Sequence, residues 1–288
     1  MNEERKGESY IIGEALLWGL FPVLTILGYS ALPSLISLGL TTLFAAFFFA
    51  LVLTFRGRWR EIFDRGAAFD IAMTTLLIGV VFYALFYTGL TMTSAGNAAI
   101  VSLAEAFFSF CLFNLWHRES ISSWHVVGAA LMVLGAGIVL LPRAGSFHPG
   151  DLFVLLAVAI SPFGNFFQRR ARARISSEAI LFVRSAASVP FIFFLAYLLG
   201  ERLAFVAIPW ILVLVFLVNG FFVFGLSKML WIEAIRRINV VKANGLQSLA
   251  PLVTLLFAYL LLHQAPTAFQ LVAFVPMAAG VYLLSRPS

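Results

Sequence analysis

The sequence predicts an all-α integral membrane protein with ten transmembrane helices, arranged as two five-helix repeats of inverted topology. Three observations lead to this fold class: an extreme apolar composition, ten separate apolar stretches, and an internal repeat. Hydrophobic residues make up 62% of the 288 residues and charged residues only 11%, whereas a soluble domain is about half apolar and about a quarter charged. The composition therefore indicates a chain embedded in lipid.

Each apolar stretch approaches the roughly 20 residues that cross a bilayer as an α-helix. The stretches lack the alternation of barrel strands, so their backbone groups must pair within helices. The predicted spans, numbered 1 to 10 in chain order, are residues 11–29, 34–55, 71–90, 95–116, 124–141, 152–167, 179–199, 210–232, 240–262 and 269–284. Charged residues precede span 1 as in a signal peptide, but no small-residue cleavage site follows, so this span is predicted to be retained.

The net charge of +6 does not point to nucleic acid, because most basic residues lie on one side of the predicted membrane. Loops on the opposite side hold only Arg143 and Arg202. The positive-inside rule then predicts a multi-pass protein of the cytoplasmic (inner) membrane with both termini in the cytoplasm. The basic residues on that side are Arg5, Lys6, Arg56, Arg58, Arg60, Arg65, Arg118, Arg169, Arg170, Arg172, Arg174, Arg236, Arg237 and Arg286.

One loop on the basic side has an amphipathic pattern. Trp59, Ile62 and Phe63 fall on one face of a short helix, with arginines elsewhere. This pattern fits a helix lying at the membrane interface. A solvated loop is the alternative, and both remain open at the level of sequence.

An internal repeat relates the two halves of the chain, predicted as residues 1–146 and 147–288. Its clearest match sets Ser102-Leu103-Ala104-Glu105 against Ser248-Leu249-Ala250-Pro251, both midway along a span. Spans 1 to 5 therefore correspond to spans 6 to 10. Since five is odd, the halves must cross the membrane in opposite directions. Inverted repeats are characteristic of secondary transporters, which bind substrate near the midplane between the halves.

Residues 84–99, 115–119 and 128–137, and their second copy from Leu230 through Pro251 to Gly280, resemble the repeat of EamA-type permeases of the drug/metabolite transporter superfamily. The resemblance implies a central cavity formed by helices 1, 3, 4, 6, 8 and 9, and frequent export of amino acids or other metabolites. Two positions depart from the family pattern. Glu105 replaces the proline that Pro251 keeps, and Gln264 replaces the glutamate that Glu119 keeps.

Glu105 lies near the centre of span 4, where a carboxylate costs several kcal/mol unless it is paired or hydrated. It must therefore face the protein interior or a water-filled path. One interpretation is a contact for a substrate amine or a protonation switch. The other is a buried acid that a neighbouring hydroxyl or amide satisfies.

Lys228 in span 8 is open to similar alternatives. It either binds a substrate carboxylate in the cavity, or it snorkels to the headgroups or forms a structural ion pair. The second interpretation is favoured. Glu14 and Arg184, in spans 1 and 7, carry the same ambiguity.

Helix breaks at matching positions of two inverted repeats indicate a binding site or hinge. Span 1 contains Gly19 and Pro22, and span 6 contains Pro162 and Gly164. Pro251 in span 9 is a further hinge candidate. Kinked helices with a purely structural role are the alternative.

Polar and aromatic side chains within the spans supply the remaining cavity candidates. The polar candidates lie in spans that match the cavity helices of the resembled family. They are Asn97, Asn165, Asn244 and Gln247. The candidates for apolar walls are Trp18, Tyr83, Tyr87, Phe163 and Trp231.

Together these features predict a secondary active transporter that exports amino acids or similar small metabolites by alternating access, and not an enzyme. Export of drugs or other metabolites is one alternative, and a membrane-embedded lipid-modifying enzyme is another. The four histidines show no metal-ligand spacing, and neither a nucleophile elbow nor an ATP-binding loop is present. We therefore expect no metal or cofactor, a gradient as the driving force with protons as the candidate ion, and a monomer or homodimer in the lipid bilayer.

Overall fold

The computed structural model describes residues 3–29, 32–117, 123–140, 148–202 and 209–284. The predicted loop residues Arg118, Glu119, Arg143 and Arg286 lie outside this range. Ten apolar helices, here named α1 to α10, follow one another in the described residues. They are α1 (Glu3–Trp18 and Phe21–Gly28), α2 (Ser34–Arg56), α3 (Ala68–Leu90), α4 (Ala95–Ser102 and Ala104–His117), α5 (Ser123–Leu140), α6 (Pro149–Arg172), α7 (Ser177–Leu198), α8 (Trp210–Ile235), α9 (Val240–Gln247 and Ala250–Leu262) and α10 (Ala268–Leu284).

Eight of these helices are long and apolar enough to cross a membrane, and α5 and α10 are shorter apolar helices. The predicted all-α membrane fold is confirmed. Helix α1 begins earlier than predicted, because its charged first turns are held by basic residues near the end of α8 and the start of α9. The Lys242 Nζ atom lies 2.6 Å from a Glu4 oxygen and 2.7 Å from a Glu8 oxygen.

The packing of the ten helices is reciprocal between the two halves. Helix α2 packs against α7, α5 against α10, and α4 against α9. Helix α1 packs against α8 and α9, while its counterpart α6 packs against α3 and α4. Exchanging each helix for the one five places along maps these contacts onto themselves. That is the pattern a pseudo-two-fold relation between inverted repeats produces.

Irregular helical turns also recur in equivalent spans. Helices α3 and α8 each contain a π-helical segment, at Thr75–Phe82 and Asn219–Leu226. Helix α4 is interrupted at Leu103 and α9 at Ser248-Leu249, the positions that the repeat aligns. Wide turns and interruptions free backbone groups and are frequent where a membrane protein builds a functional site.

The predicted break in span 6 is not present. Helix α6 continues without interruption through Pro162, whereas α1 is interrupted at Gly19-Leu20 just before Pro22. A proline in a helix interior removes one hydrogen bond and need not end the helix. Gly164 instead permits close packing, since a Cβ atom there would lie 2.3 Å from Ile78 Cγ1.

The amphipathic loop segment forms a short 3₁₀ helix, Trp59–Phe63. The Trp59 ring lies edge-on against Phe182 of α7, with 5.0 Å between ring centroids. Phe63 is 78% exposed, as expected for a residue that meets lipid at an interface.

Candidate functional site

Two small cavities adjoin each other inside the helix bundle and share Trp18, Glu105 and Gln247. We name the first the break cavity, because it lies at the interruptions of α1, α4 and α9; its other lining residues are Phe21, Pro22, Phe86, Ala99, Ser102, Leu103, Ala106, Asn244, Ala250, Pro251 and Thr254. We name the second the charged cavity; its other lining residues are Ile78, Phe82, Tyr83, Ser161, Asn165, Gln168, Arg184, Lys228 and Trp231. Helices α1, α3, α4, α6, α7, α8 and α9 contribute to the pair.

Each cavity has a volume of about 40 Å³. A water molecule needs about 10–15 Å³ of such volume, so each cavity accommodates only a few waters. The helices must therefore separate before a larger molecule enters.

A buried ion pair stands at one wall of the charged cavity. Lys228 Nζ lies 3.0 Å from Glu14 Oε1, and Gln247 Nε2 donates to Glu14 Oε2 at 2.9 Å. The same ammonium group sits 3.3 Å from the centroid of the Trp18 ring. A charge buried in a membrane protein is tolerated when it is paired and hydrogen-bonded. Lys228 therefore turns into the protein and does not snorkel to the headgroups.

Glu105 is hydrogen-bonded through one oxygen and has the other available. Its Oε1 atom accepts from Ser161 Oγ at 2.8 Å and from Asn165 Nδ2 at 3.0 Å. Within the described part of the chain, Oε2 has no hydrogen-bond partner, and Glu105 lines both cavities. A carboxylate oxygen placed in this way accepts a proton or an ammonium group without breaking the contacts that hold the side chain.

A chain of hydrogen bonds connects Glu105 to a buried guanidinium group. Asn165 Oδ1 accepts from Trp231 Nε1 and from Gln168 Nε2, each at 3.1 Å. Arg184 Nη1 then donates to Gln168 Oε1 at 2.8 Å. Two carboxylates and two cations, all contributed by transmembrane helices, therefore lie around one small volume.

Most of the predicted cavity residues line one of these two cavities. Trp18, Glu105 and Gln247 line both. Tyr83, Asn165, Lys228 and Trp231 line the charged cavity. Asn244 lines the break cavity together with the predicted hinge residues Pro22 and Pro251, and its amide donates to Ser109 Oγ at 3.0 Å.

Three predicted cavity residues lie elsewhere. Phe163 is 48% exposed on the outside of the bundle, because α6 turns that face toward lipid. Tyr87 is fully buried in the apolar core, where its hydroxyl accepts from Asn219 Nδ2 at 3.4 Å. Asn97 lies at the start of α4 and forms hydrogen bonds to Asp151 and Gln270.

The predicted hinge residue Gly19 is a packing position, since a Cβ atom there would lie 2.5 Å from Val253 Cβ.

Two further polar clusters lie near opposite ends of the bundle. In the first, the Asp151 cluster, Asp151 accepts from Thr93 and from Asn97 Nδ2 (3.2 Å), and Asn97 Oδ1 accepts from Gln270 Nε2 at 2.8 Å. It joins the starts of α4, α6 and α10.

The second cluster, the Glu233 cluster, lies on the basic side. Glu233 carboxylate oxygens are 2.7 Å from Arg172 Nη2 and 2.6 Å from Arg237 Nη1, and the group also accepts from Ser177. It joins the ends of α6 and α8 to the start of α7.

Several residues of the site were not among the predicted cavity residues. Glu14, which pairs with the lining residue Lys228, and Arg184, which lines the charged cavity, were visible as charges within spans, but their partners belong to other helices. Ser161, Phe21 and Phe86 give no sequence signal of their own, since hydroxyl and aromatic side chains are common throughout lipid-embedded helices.

A small polar cavity between two pseudo-symmetric halves of a ten-helix membrane protein defines a multi-pass membrane transporter of the inverted-repeat type. The comparison with protein families specifies the family. The chain belongs to the EamA-like transporter family, whose model matches residues 5–141 and again residues 148–286. It therefore has two EamA domains and is a member of the drug/metabolite transporters.

The chain is similar to several named proteins over much of its length. It is 24% identical over 278 residues to a "Probable amino-acid metabolite efflux pump" of Escherichia coli, covering 93% of this chain and 91% of that protein. A protein of the same name from Salmonella typhimurium is 26% identical over 199 residues, or 66% of this chain and 67% of that protein. An uncharacterized transporter of Methanothermobacter thermautotrophicus is 28% identical over 230 residues; the match covers 74% of this chain but only 63% of that protein.

The fold is also known from a solved structure. A protein crystal structure with 17% sequence identity superposes with a TM-score of 0.74 over 97% of this chain and 96% of the other chain. At this identity the likeness concerns the fold alone.

Proposed function

We propose that this protein is a secondary active transporter that exports amino acids or similar small metabolites across the cytoplasmic membrane by alternating access. The observation that carries the proposal is a pair of buried carboxylates at these cavities: Glu105 lines both of them, and Glu14 is paired with Lys228, which lines the charged cavity. A membrane protein retains such charges where it moves ions or polar solutes. The name of the E. coli and Salmonella relatives supports amino acids as the substrate class.

The chemistry of the cavities suits a zwitterion with an apolar side chain. Glu105 Oε2 is available to an ammonium group, and Lys228 supplies positive charge for a carboxylate. Phe21 and Phe86 give the break cavity aromatic walls, which favour an apolar substituent. The site thus offers each part of a neutral amino acid a matching group.

Coupling to protons follows if one carboxylate serves both ligands. Glu105 then carries either a proton or the ammonium group of the substrate, but not both. A site that must exchange one for the other moves substrate outward as protons move inward.

Conformational change would open the bundle alternately at the end near the Asp151 cluster and at the end near the Glu233 cluster. The halves 1–146 and 147–288 would then move against each other. The excess of arginines on the side of the Glu233 cluster supports a cytoplasmic position for that side and for both termini.

A pH-gradient experiment tests the proposal. Proteoliposomes loaded with a panel of labelled amino acids are diluted into buffer with or without an imposed pH gradient, and efflux is followed. We expect the gradient to accelerate efflux by the wild type. The gradient should have no effect on Glu105→Gln, because that side chain no longer takes up a proton. The control Glu4→Gln removes a carboxylate at the exposed end of α1 and should keep the gradient dependence.

Two results would contradict the proposal at different points. Gradient dependence that persists in Glu105→Gln would refute the coupling role of Glu105. Failure of the wild type to release any amino acid on the panel would refute the substrate class and favour drugs or other metabolites.

A further inference from the structure

An apolar groove runs along the outer surface of the bundle between α3 and α7, one helix from each half. It has a volume of about 420 Å³, about ten times that of either central cavity. On α3 its residues recur every fourth position: Ala68, Ala72, Leu76 and Val80. On α7 they show the same spacing: Val183, Ala187 and Phe191.

The groove is a true hollow in the lipid-facing surface. The alanines at Ala68, Ala72 and Ala187 leave space between the helices, while Leu76 and Phe191 stand out as rims that are 51% and 59% exposed. Unfilled apolar space loses dispersion contacts on its lining. A flexible hydrocarbon chain from the surrounding bilayer fills such a hollow.

The length of the groove matches one leaflet. Ala68 and Val80 are separated by about 18 Å at about 1.5 Å per helical residue, and half of the hydrocarbon core is about 15 Å thick. The groove begins at the basic end of α3, where Ile62 of the interfacial 3₁₀ helix closes its floor. A chain lying in it therefore has its headgroup among the arginines of this side.

Basic and acidic residues meet at the mouth of the groove, and some of the arginines there have no ion-pair partner in the described part of the chain. Of the acids, Glu61 accepts from the Ser176 backbone N–H at 2.7 Å, Asp70 lies 3.4 Å from Arg170, and Asp64 accepts from the Ala67 backbone N–H at 3.0 Å. Arg60, Arg65 and Arg174 make no ion pair to any residue that the structure describes. The Arg174 guanidinium packs on Gly66, where an added Cβ atom would lie 2.5 Å from Nη1, two residues before the groove begins.

We propose that this groove binds an anionic phospholipid of the cytoplasmic leaflet, with an acyl chain between α3 and α7 and the phosphate among Arg60, Arg65 and Arg174. Anionic lipids are concentrated in that leaflet and are attracted by basic residues at the membrane surface. The inference depends on the proposed orientation of the chain but not on its transport activity.

Native mass spectrometry tests the proposal on the full-length protein. Purified protein is equilibrated with mixed micelles that contain equal amounts of phosphatidylglycerol and phosphatidylcholine, and the lipid adducts are counted. The wild type should retain one phosphatidylglycerol. Ala187→Phe should lose it because the new ring fills the groove, whereas Ala186→Phe, an exposed alanine on the adjacent face of α7, should keep it.

The arginines are tested separately because Arg65 and Arg174 lie outside the two helices that form the groove. Arg65→Gln and Arg174→Gln should each weaken retention about fivefold, the effect of one surface basic residue on an anionic lipid. Arg202→Gln, which changes an exposed arginine on the opposite side, is the matched control. Equal retention of the two lipids, survival of the adduct in Ala187→Phe, or a dimer that Ala187→Phe dissociates would each overturn the proposal.

Discussion

At the scale of single residues, the proposed function depends on charges that lipid does not tolerate unless they are compensated. Glu14 and Lys228 compensate each other, and Gln247 and Ser227 supply further hydrogen bonds to the carboxylate. The Trp18 ring adds a cation–π contact, which contributes up to about 2 kcal/mol where both groups are desolvated. The ion pair is therefore stable in this structure and places the Lys228 ammonium group next to the charged cavity.

Removing one partner of this pair should cost more than removing both. Lys228→Met leaves the Glu14 carboxylate buried and unpaired, so we expect a loss of about 3–5 kcal/mol in stability. Glu14→Gln combined with Lys228→Met should recover most of that loss, since both charges are gone. A double-mutant cycle on thermal unfolding in detergent measures the coupling. Strictly additive effects of the two substitutions would show that the ion pair does not form.

The sequence could place individual charges but not their partners. Glu105 had to face inward because a carboxylate in lipid is costly, and it lines both cavities. The Lys228–Glu14 pair could not be predicted, because it depends on which faces of α1 and α8 meet. The same limit explains Phe163 and Tyr87. A single aromatic residue in a span is compatible with lipid, core or cavity, and only the packing of α3 and α6 decides among them.

At the scale of helices, close approach of backbones at glycines holds the bundle together. Without water to drive apolar association, small residues that allow tight packing are the main source of helix contacts in lipid. Helices α5 and α10 show this most clearly. A Cβ atom added at Gly280 would lie 2.7 Å from the carbonyl oxygen of Gly128.

A side chain at this crossing should force the two helices apart. Gly280→Val is expected to lower the free energy of unfolding by about 1–3 kcal/mol, the usual effect of overpacking. Gly137→Val is the control, because no residue that the structure describes has an atom within 4 Å of a Cβ atom at Gly137. That control should change stability by no more than about 0.5 kcal/mol. Thermal unfolding in detergent measures the stability of both variants. Equal stability of the two would contradict the packing of α5 against α10.

The helix interruptions show how well prolines in the sequence predict irregular backbone. Prolines marked the break near Pro22 and the one before Pro251, but Pro162 lies in a continuous helix. The interruption at Leu103 carries no proline at all. No break was predicted there, although the residues around it align with those around the interruption in α9. Proline alone was therefore an incomplete guide to irregular backbone.

At the scale of the whole molecule, two related halves enclose a small polar volume, and a polar cluster lies near each end of the bundle. The Asp151 cluster links α4, α6 and α10, and the Glu233 cluster links α6, α7 and α8. Helix α6 takes part in both clusters and also carries Ser161 and Asn165, which hold Glu105. A movement of α6 relative to α4 would therefore change both the site and the Asp151 cluster, while Arg172 connects the same helix to Glu233 near the other end.

The most direct test of this account is counterflow in liposomes that contain the purified protein. Vesicles are preloaded with an unlabelled amino acid, the same labelled amino acid is added outside at equal pH, and uptake is followed against protein-free vesicles. A carrier predicts saturable uptake of label that transiently exceeds the equilibrium level. The reason is that the binding site changes sides only when it is occupied, so each labelled molecule that enters is exchanged for an unlabelled one that leaves. Uptake that rises linearly with concentration would indicate a channel, and no uptake of any amino acid would contradict the proposed substrate class.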